Sequence, residues 1–322
     1  RSLISYNMKV ILQHMSIHIH NTLTGEKQEF VPIDKDKVSI YSCGPTVYDT
    51  AHIGNFRTFI TNDLIRRVFE YNGFFVKHAM NITDIDDKTI RRSHDEGKTL
   101  EQLTRHYETL FLSDIHSLNI LTPHRVLRAT DHIKEMIEMI SILLEKDIAY
   151  ISKDGVYFSI GKFPEYGKLA KLKIELNDTS VLHERIANDE YEKENPRDFA
   201  LWKFHTADDG EVKYDAPFGA GRPGWHIECS AMSTWALGPS IDIHTGGTDL
   251  IFPHHTNEIA QSEACTDKPF VKYWLHTRHM MVDGTKMSKS KGNFYVLEDL
   301  IEKGYTPMDF RMLLKIGRAS CR

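Results

Sequence analysis

The chain has 322 residues, 41% of them hydrophobic and 26% charged, with a formal net charge of −5. This is enough apolar material for one large domain or two ordinary ones, and the acidic balance gives no global basic footprint for a nucleic acid, so such a contact has to rest on local patches. The longest apolar run near the N-terminus is Val10-Ile11-Leu12, and no stretch approaches the roughly 18 apolar residues of a membrane span, which argues for the cytoplasm and against a membrane partner.

Residues 1–14 carry no clear pattern and are read as a possible upstream or non-native segment. Val38–Cys43 alternates like a strand, Gly44-Pro45 breaks it, and Asn62–Tyr71 has the apolar spacing of a helix that ends at Gly73. Phe74–Ile82 reads as a second, buried strand, giving the strand-helix-strand rhythm of a parallel α/β sheet. A helix is predicted after Thr130, taken as its cap, with Ile133, Met136, Ile137, Ile140, Leu143 and Leu144 on one face. From about Tyr150 to Lys203 short strands and turns surround a charged run, Asn188–Asn195, as in an insertion hung on the main domain. Strands return at Ile241–His244 and Val271–His276, so the predicted fold is a Rossmann-like parallel sheet split by a connective insertion. The expected boundaries are 15–120 and 216–285 for the two catalytic stretches, 121–215 for the insertion, and 286–322 for a lysine-rich loop and the start of a helical region.

Three groups of residues carry chemistry. Gly44-Pro-Thr-Val-Tyr-Asp-Thr-Ala-His52-Ile-Gly54-Asn55 lies between a strand end and a helix start, where backbone N–H groups attract phosphate and a glycine lets a ligand come close. On its own it reads equally well as a structural turn. Lys286-Met-Ser-Lys289-Ser-Lys-Gly-Asn293 alternates lysines with small residues, which suits a cationic flap over a polyphosphate, although taken alone it reads better as a solvated basic loop. Cys43, Cys229, His254 and Glu258 offer two thiols, an imidazole and a carboxylate, a donor set that suits zinc better than a hard cation. His254 and Glu258 are four apart and would share a helix face, but spacing alone favours Cys43 and Cys229 as core thiols over ligands. The four cysteines are too few and scattered for a disulfide framework.

The first two groups resemble the HIGH and KMSKS signatures of class I aminoacyl-tRNA synthetases. Lys286–Ser290 matches completely, and Asn55 replaces the final histidine of the other. The chain is similar to cysteinyl-tRNA synthetases from about Ile17 to Leu314. Blocks carrying the likeness include Tyr41–Asp49, Asn81–Lys88, Asn195–Lys203, Gly219–Met232 and Phe252–Gln261. The resemblance implies one Zn2+ per chain on Cys43, Cys229, His254 and Glu258, with His255 a neighbour and Thr256 in place of a glutamate often found there. It implies a cysteine pocket lined by Gly44, Thr83 and Trp225. ATP, brought with Mg2+, is expected at Gly54, Asn55, Gly246, Asp249 and Lys289, with His52, Lys286 and Lys289 as catalytic groups. The expected reaction is cysteinyl adenylate formation followed by transfer to the 3′ end of tRNA(Cys), held through its acceptor end only, by a monomer. The family continues into an anticodon-binding bundle, so the chain is expected to be C-terminally truncated. Two other readings stay open: a mycothiol-pathway ligase passing cysteine to an amino sugar, and a non-catalytic zinc-binding relative.

Overall fold

A short antiparallel hairpin, β1 (His18–Asn21) and β2 (Glu26–Glu29), precedes β3 (Lys37–Ser42), whose last three residues are all buried. Such continuous burial marks a strand covered on both faces, as parallel sheets are. The computed structural model describes residues 16–172, 198–282, 285–287 and 293–315. The charged run 188–195 and the two terminal segments therefore lie outside the described residues.

After β3 the chain forms α1 (Ile53–Tyr71), β4 (Phe75–Ile82), α2 (Asp87–Asp95), α3 (Leu100–Ser117) and β5 (Arg125–Arg128). Helix α1 starts well before the predicted Asn62, at Ile53. Its first turns contain Gly, Thr, Ile and Phe, poor helix formers, but Ile53, Phe56, Phe59 and Ile60 pack with Leu103 and Phe111 of α3, and burial overrides propensity. Next come α4 (Ile133–Glu145) and a four-stranded antiparallel sheet of β6 (Ala149–Ile151), β7 (Gly155–Phe158), β8 (Phe199–Phe204) and β9 (Gly221–Pro223). Thr130 does not cap α4. Its hydroxyl and N–H both donate to Asp84, and a 3-10 turn at Ala129–His132 separates it from the helix.

The rest of the chain consists of α5 (Trp225–Leu237), β10 (Ile241–Gly247), α6 (Thr256–Thr266), β11 (Val271–Thr277), the pair β12 (Met281–Val282) and β13 (Thr285–Lys286), α7 (Leu297–Glu302) and α8 (Pro307–Lys315). The main sheet has the order β11-β10-β3-β4-β5 and every pairing in it is parallel. The predicted split parallel sheet is thus present, β3 and β10 lying side by side although the antiparallel sheet intervenes in sequence. Strand β5 falls inside the expected insertion range 121–215 yet pairs with β4 in the main sheet, and β9 falls outside that range yet belongs to the small one.

One core lies between the sheet, α4, α5 and α6 and continues under the small sheet through Phe158, Phe199 and Trp202. Another fills the opposite side, where α1 and α3 meet Met287, Leu297 and Phe310. Asp87 ties α2 to the small sheet by pairing with Arg222 and Lys203. Burial alone would raise its carboxyl, but the two cations carry it below the usual range.

Candidate active site

The C-terminal ends of β3 and β10 border a cleft of about 490 Å3. Open α/β sheets bind ligands at such a place, where the chain departs to opposite sides from neighbouring strands. Of the predicted residues, Cys43, Gly44, His52, Gly54, Asn55, Trp225 and Asp249 line it, while Thr83 and Gly246 do not. Gly246 is the penultimate residue of β10, and the last, Gly247, reaches the cleft instead. At Gly44 a side chain is impossible, because a Cβ would run into the carbonyl oxygen of Asn81. The ends of β3 and β4 come together only because that position is bare.

Both signatures meet at the start of α1. His52 is its N-cap residue, and the Asn55 side chain accepts a hydrogen bond from the His52 N–H at 3.0 Å. Asn55 thus holds the turn, a role its amide oxygen performs without the proton chemistry of the histidine it replaces. Ile53 N–H donates to Tyr295 O at 2.9 Å, and the His52 ring meets Phe294 edge-on at 5.2 Å. A Cβ on Gly54 would strike the Met287 methyl group. The segment around the lysine loop is therefore fitted against the His52 turn on both sides. Lys286 is placed by its backbone, in β13, and Lys289 lies outside the described residues.

Behind the cleft wall, Cys43, Cys229, His254 and Glu258 are all buried, and one ligand atom from each lies within 4.8 Å of the others. Cys43 closes β3, Cys229 sits in the second turn of α5, His254 precedes α6 and Glu258 lies in its first turn. Burial pushes both thiols and the Glu258 carboxyl up and the His254 imidazole well down, so without a cation the group favours its neutral forms. Neutral imidazole is the ligand form, and a bound cation would draw the protons from the thiols. His254 Nε2 lies 3.1 Å from Glu258 Oε1, while its Nδ1 shares a hydrogen bond of 2.8 Å with His226 Nδ1. That is the outer contact expected to orient a ligating imidazole. Trp225 covers the His254 ring with centroids 4.1 Å apart.

His255, expected as a neighbour, is closer than that expectation implies, its Nε2 lying 3.2 Å from Cys43 Sγ. With His244 it completes a second quartet that shares Cys43 and Glu258. That quartet has a single thiol, and His244 Nε2 already holds Glu258 Oε2 at 2.8 Å, so the two-thiol set is the softer one. Thr256, in the position of a missing glutamate, donates to Ile251 O at 2.7 Å.

Sequence reasoning missed several supports. Thr83 is buried, and its hydroxyl donates to Glu228 Oε2 at 2.7 Å rather than facing the cleft. His226 holds His254, His244 holds Glu258 and His276 holds His255, and burial pushes His226 and His276 down to about 3. Only the crowding of histidines in Trp225-His226 and His254-His255 hinted at this. Lys168 is paired with Glu165 and Glu263.

Residues 29–319 match the family described as tRNA synthetases class I (C) catalytic domain. Curated relatives include the cysteine–tRNA ligase of Brachyspira hyodysenteriae, 55% identical over 299 residues, which cover 92% of this chain and 63% of that protein. The cysteine–tRNA ligase of Protochlamydia amoebophila is 50% identical over 305 residues, covering 94% of this chain and 64% of that protein. This chain thus spans somewhat under two thirds of their length. Among solved structures, Mycobacterium tuberculosis methionyl-tRNA synthetase bound by methionyl-adenylate aligns with a TM-score of 0.66 at 14% identity, over 86% of this chain and 64% of that one. A putative arginyl-tRNA synthetase from Campylobacter jejuni aligns at 0.53. These two establish likeness of fold.

Proposed function

Because the chain belongs to the class I (C) tRNA synthetase catalytic-domain family, we propose that it selects cysteine, activates it with ATP and passes it to the 3′ end of tRNA(Cys). The observation that carries this reading is the quartet of two thiols, one imidazole and one carboxylate, buried behind the cleft that Gly44 and His52 line. In the proposal, Cys43, Cys229, His254 and Glu258 hold Zn2+. When bound, the ion supplies a soft Lewis acid that prefers the sulfur of cysteine to the oxygen of serine. A site that demands one polar partner rejects an analogue lacking it by factors on the order of 10⁴, so no hydrolytic correction is required.

In the first step an oxygen of the cysteine carboxylate attacks the α-phosphorus of ATP, and pyrophosphate leaves with the electron pair of the broken P–O bond. No general base is needed, since the carboxylate is already ionised; positioning and charge neutralisation do the work. Trp225 and Gly44 border the amino acid. Gly54, Asn55 and Asp249 serve the nucleotide, His52 its phosphates, and Lys286 with Lys289 the departing pyrophosphate. Mg2+ arrives with ATP, held mainly by phosphate and water. In the second step a ribose hydroxyl at the end of the tRNA attacks the carbonyl carbon of the adenylate and AMP leaves. The acceptor end enters the same cleft of a monomeric catalytic unit whose main sheet is β11-β10-β3-β4-β5, with the lysine loop in 286–322.

The test is ATP–pyrophosphate exchange on metal-quantified protein, with cysteine and serine as alternative substrates. Exchange with cysteine alone is the expected result; a folded, zinc-loaded chain without exchange would sink the proposal. Offering tRNA(Cys) and an amino-sugar amine as acceptors then identifies what receives the cysteinyl group.

A further inference from the structure

Resting on the proposed selection of cysteine, we propose that Glu228, acting through Thr83 and Asn81, is a positioning residue for the amino-acid pocket. Three hydrogen bonds run in one direction across three elements. Gly44 N–H donates to Asn81 Oδ1 at 2.8 Å, Asn81 Nδ2 to the Thr83 hydroxyl at 3.2 Å, and that hydroxyl to Glu228 Oε2 at 2.7 Å. A threonine hydroxyl has a single proton. Given to Glu228, it leaves only lone pairs towards Asn81, which must therefore present its NH₂ there and its oxygen to Gly44. The acceptor at the far end thus fixes the orientation of every group in the relay. Asn81, Thr83 and Glu228 are each at most 2% exposed, so water does not compete for these bonds.

The two ends of the relay give it a function. Gly44 follows Cys43 at the end of β3 and lines the cleft, while Glu228 precedes Cys229 and shares the start of α5 with Trp225 on the cleft wall. Thr83 also pairs its backbone with the floor: Val47 N–H donates to Thr83 O at 3.1 Å and Thr83 N–H to Pro45 O at 3.0 Å. Glu228 therefore sets the separation between the floor at Gly44 and the wall at Trp225, the gap a small amino acid has to fill. Neither Thr83 nor Glu228 lines the cleft. Their influence on cysteine is exerted through position.

The experiment compares Glu228→Gln, which keeps an oxygen acceptor, with Glu228→Met and Thr83→Val, which break the relay from its two sides. Cysteine binding is read by calorimetry, KM for cysteine and for ATP by pyrophosphate exchange, and zinc by metal analysis. The expected result is a cysteine KM raised about tenfold or more in Glu228→Met and Thr83→Val, recovery to within about twofold in Glu228→Gln, and unchanged ATP KM and zinc content. A purely structural role would lower thermal stability without separating the two KM values. An unchanged cysteine affinity in either folded relay-breaking variant overturns the inference, as do parallel rises in both KM values or loss of zinc. Wild-type protein that binds cysteine without exchange defeats the proposed activation while calorimetry still reads the relay; failure of the wild type to bind cysteine overturns both.

Discussion

Cys229 is buried and approached by Cys43 Sγ at 4.0 Å. Removing its sulfur leaves three donors, too few to close a structural zinc site. Cys229→Ala is expected to lose most of its zinc and at least about 100-fold of cysteine-dependent exchange, as for a metal ligand with its outer supports intact. Retained metal and exchange would disprove the ligand assignment. Asn55 offers a second test. Its amide oxygen accepts from His52 N–H, so Asn55→Ala is expected to destabilise the protein by about 1 kcal/mol, as loss of a capping bond does. Denaturant unfolding checks the stability, and a higher ATP KM in exchange checks the coupling of this turn to the nucleotide. At this scale the sequence was informative about residue types and silent about partners. Cys43, Gly44, His52, Gly54 and Trp225, each singled out by residue type, line the cleft. Thr83 does not, because its hydroxyl is taken by Glu228, a contact across 145 positions that no local pattern encodes.

Elements were legible where a short apolar run is bounded by turn residues or one period dominates. The runs at 38–43, 74–82, 241–244 and 271–276 are the four strands β3, β4, β10 and β11, each displaced or extended by a few residues at most. Helices α5 and α6 escaped because they show no clean stripe. Most of α5 is apolar, and α6 buries Thr256, Asn257, Glu258, Gln261 and Ser262, a polar face turned inward to serve the ligands. Helix α8 shows how elements near the lysine loop are anchored. Arg311 is buried, pairs with Asp63 of α1 and donates to Leu118 O at 3.0 Å. Asp63 also accepts from Arg67 Nε at 2.9 Å and from Leu121 N–H at 2.9 Å. Arg311→Met would leave that buried carboxylate short of a cation and is expected to cost about 3–5 kcal/mol of stability, read by chemical denaturation. Stability within about 1 kcal/mol of wild type would show that Arg67 alone suffices.

For the molecule as a whole, acid response follows from two groups outside the metal quartet, the buried His78 and the half-buried Asp114. Burial, aided by the charges of Arg66 and His124, pushes His78 down to about 3. The unfolded chain takes up that proton near the ordinary histidine value of about 6.5 while the folded one refuses it, so this group makes stability fall as pH drops from about 6.5 towards 3. Asp114 acts the other way: burial, then Glu298, raises it to about 6, so its stabilising contribution is present below the ordinary aspartate range and fades as pH rises through 6. His78→Gln is expected to flatten the acid limb of a stability-against-pH curve, and Asp114→Asn to remove the decline between about pH 4 and 6; unfolding melts across pH 3–7 read both. An unaltered acid limb in His78→Gln would show that other groups dominate it.

The central position of β3 also dictates an order of events in time. Ile40 pairs with Ile243, Tyr41 with His244 and Ser42 with Thr245, a gap of 203 residues in each case. While the chain is being synthesised, β4 can join β3 early, but the other edge stays open until β10 emerges, and an open edge is a template for wrong partners. Closing so long a loop delays folding because the entropy is lost before the contacts form. Cys43 and Cys229 stand on opposite sides of that closure. A cobalt–thiolate absorption band should therefore appear late in refolding, after most tryptophan fluorescence has changed, and would serve as a clock for the moment the two parts of the sheet meet.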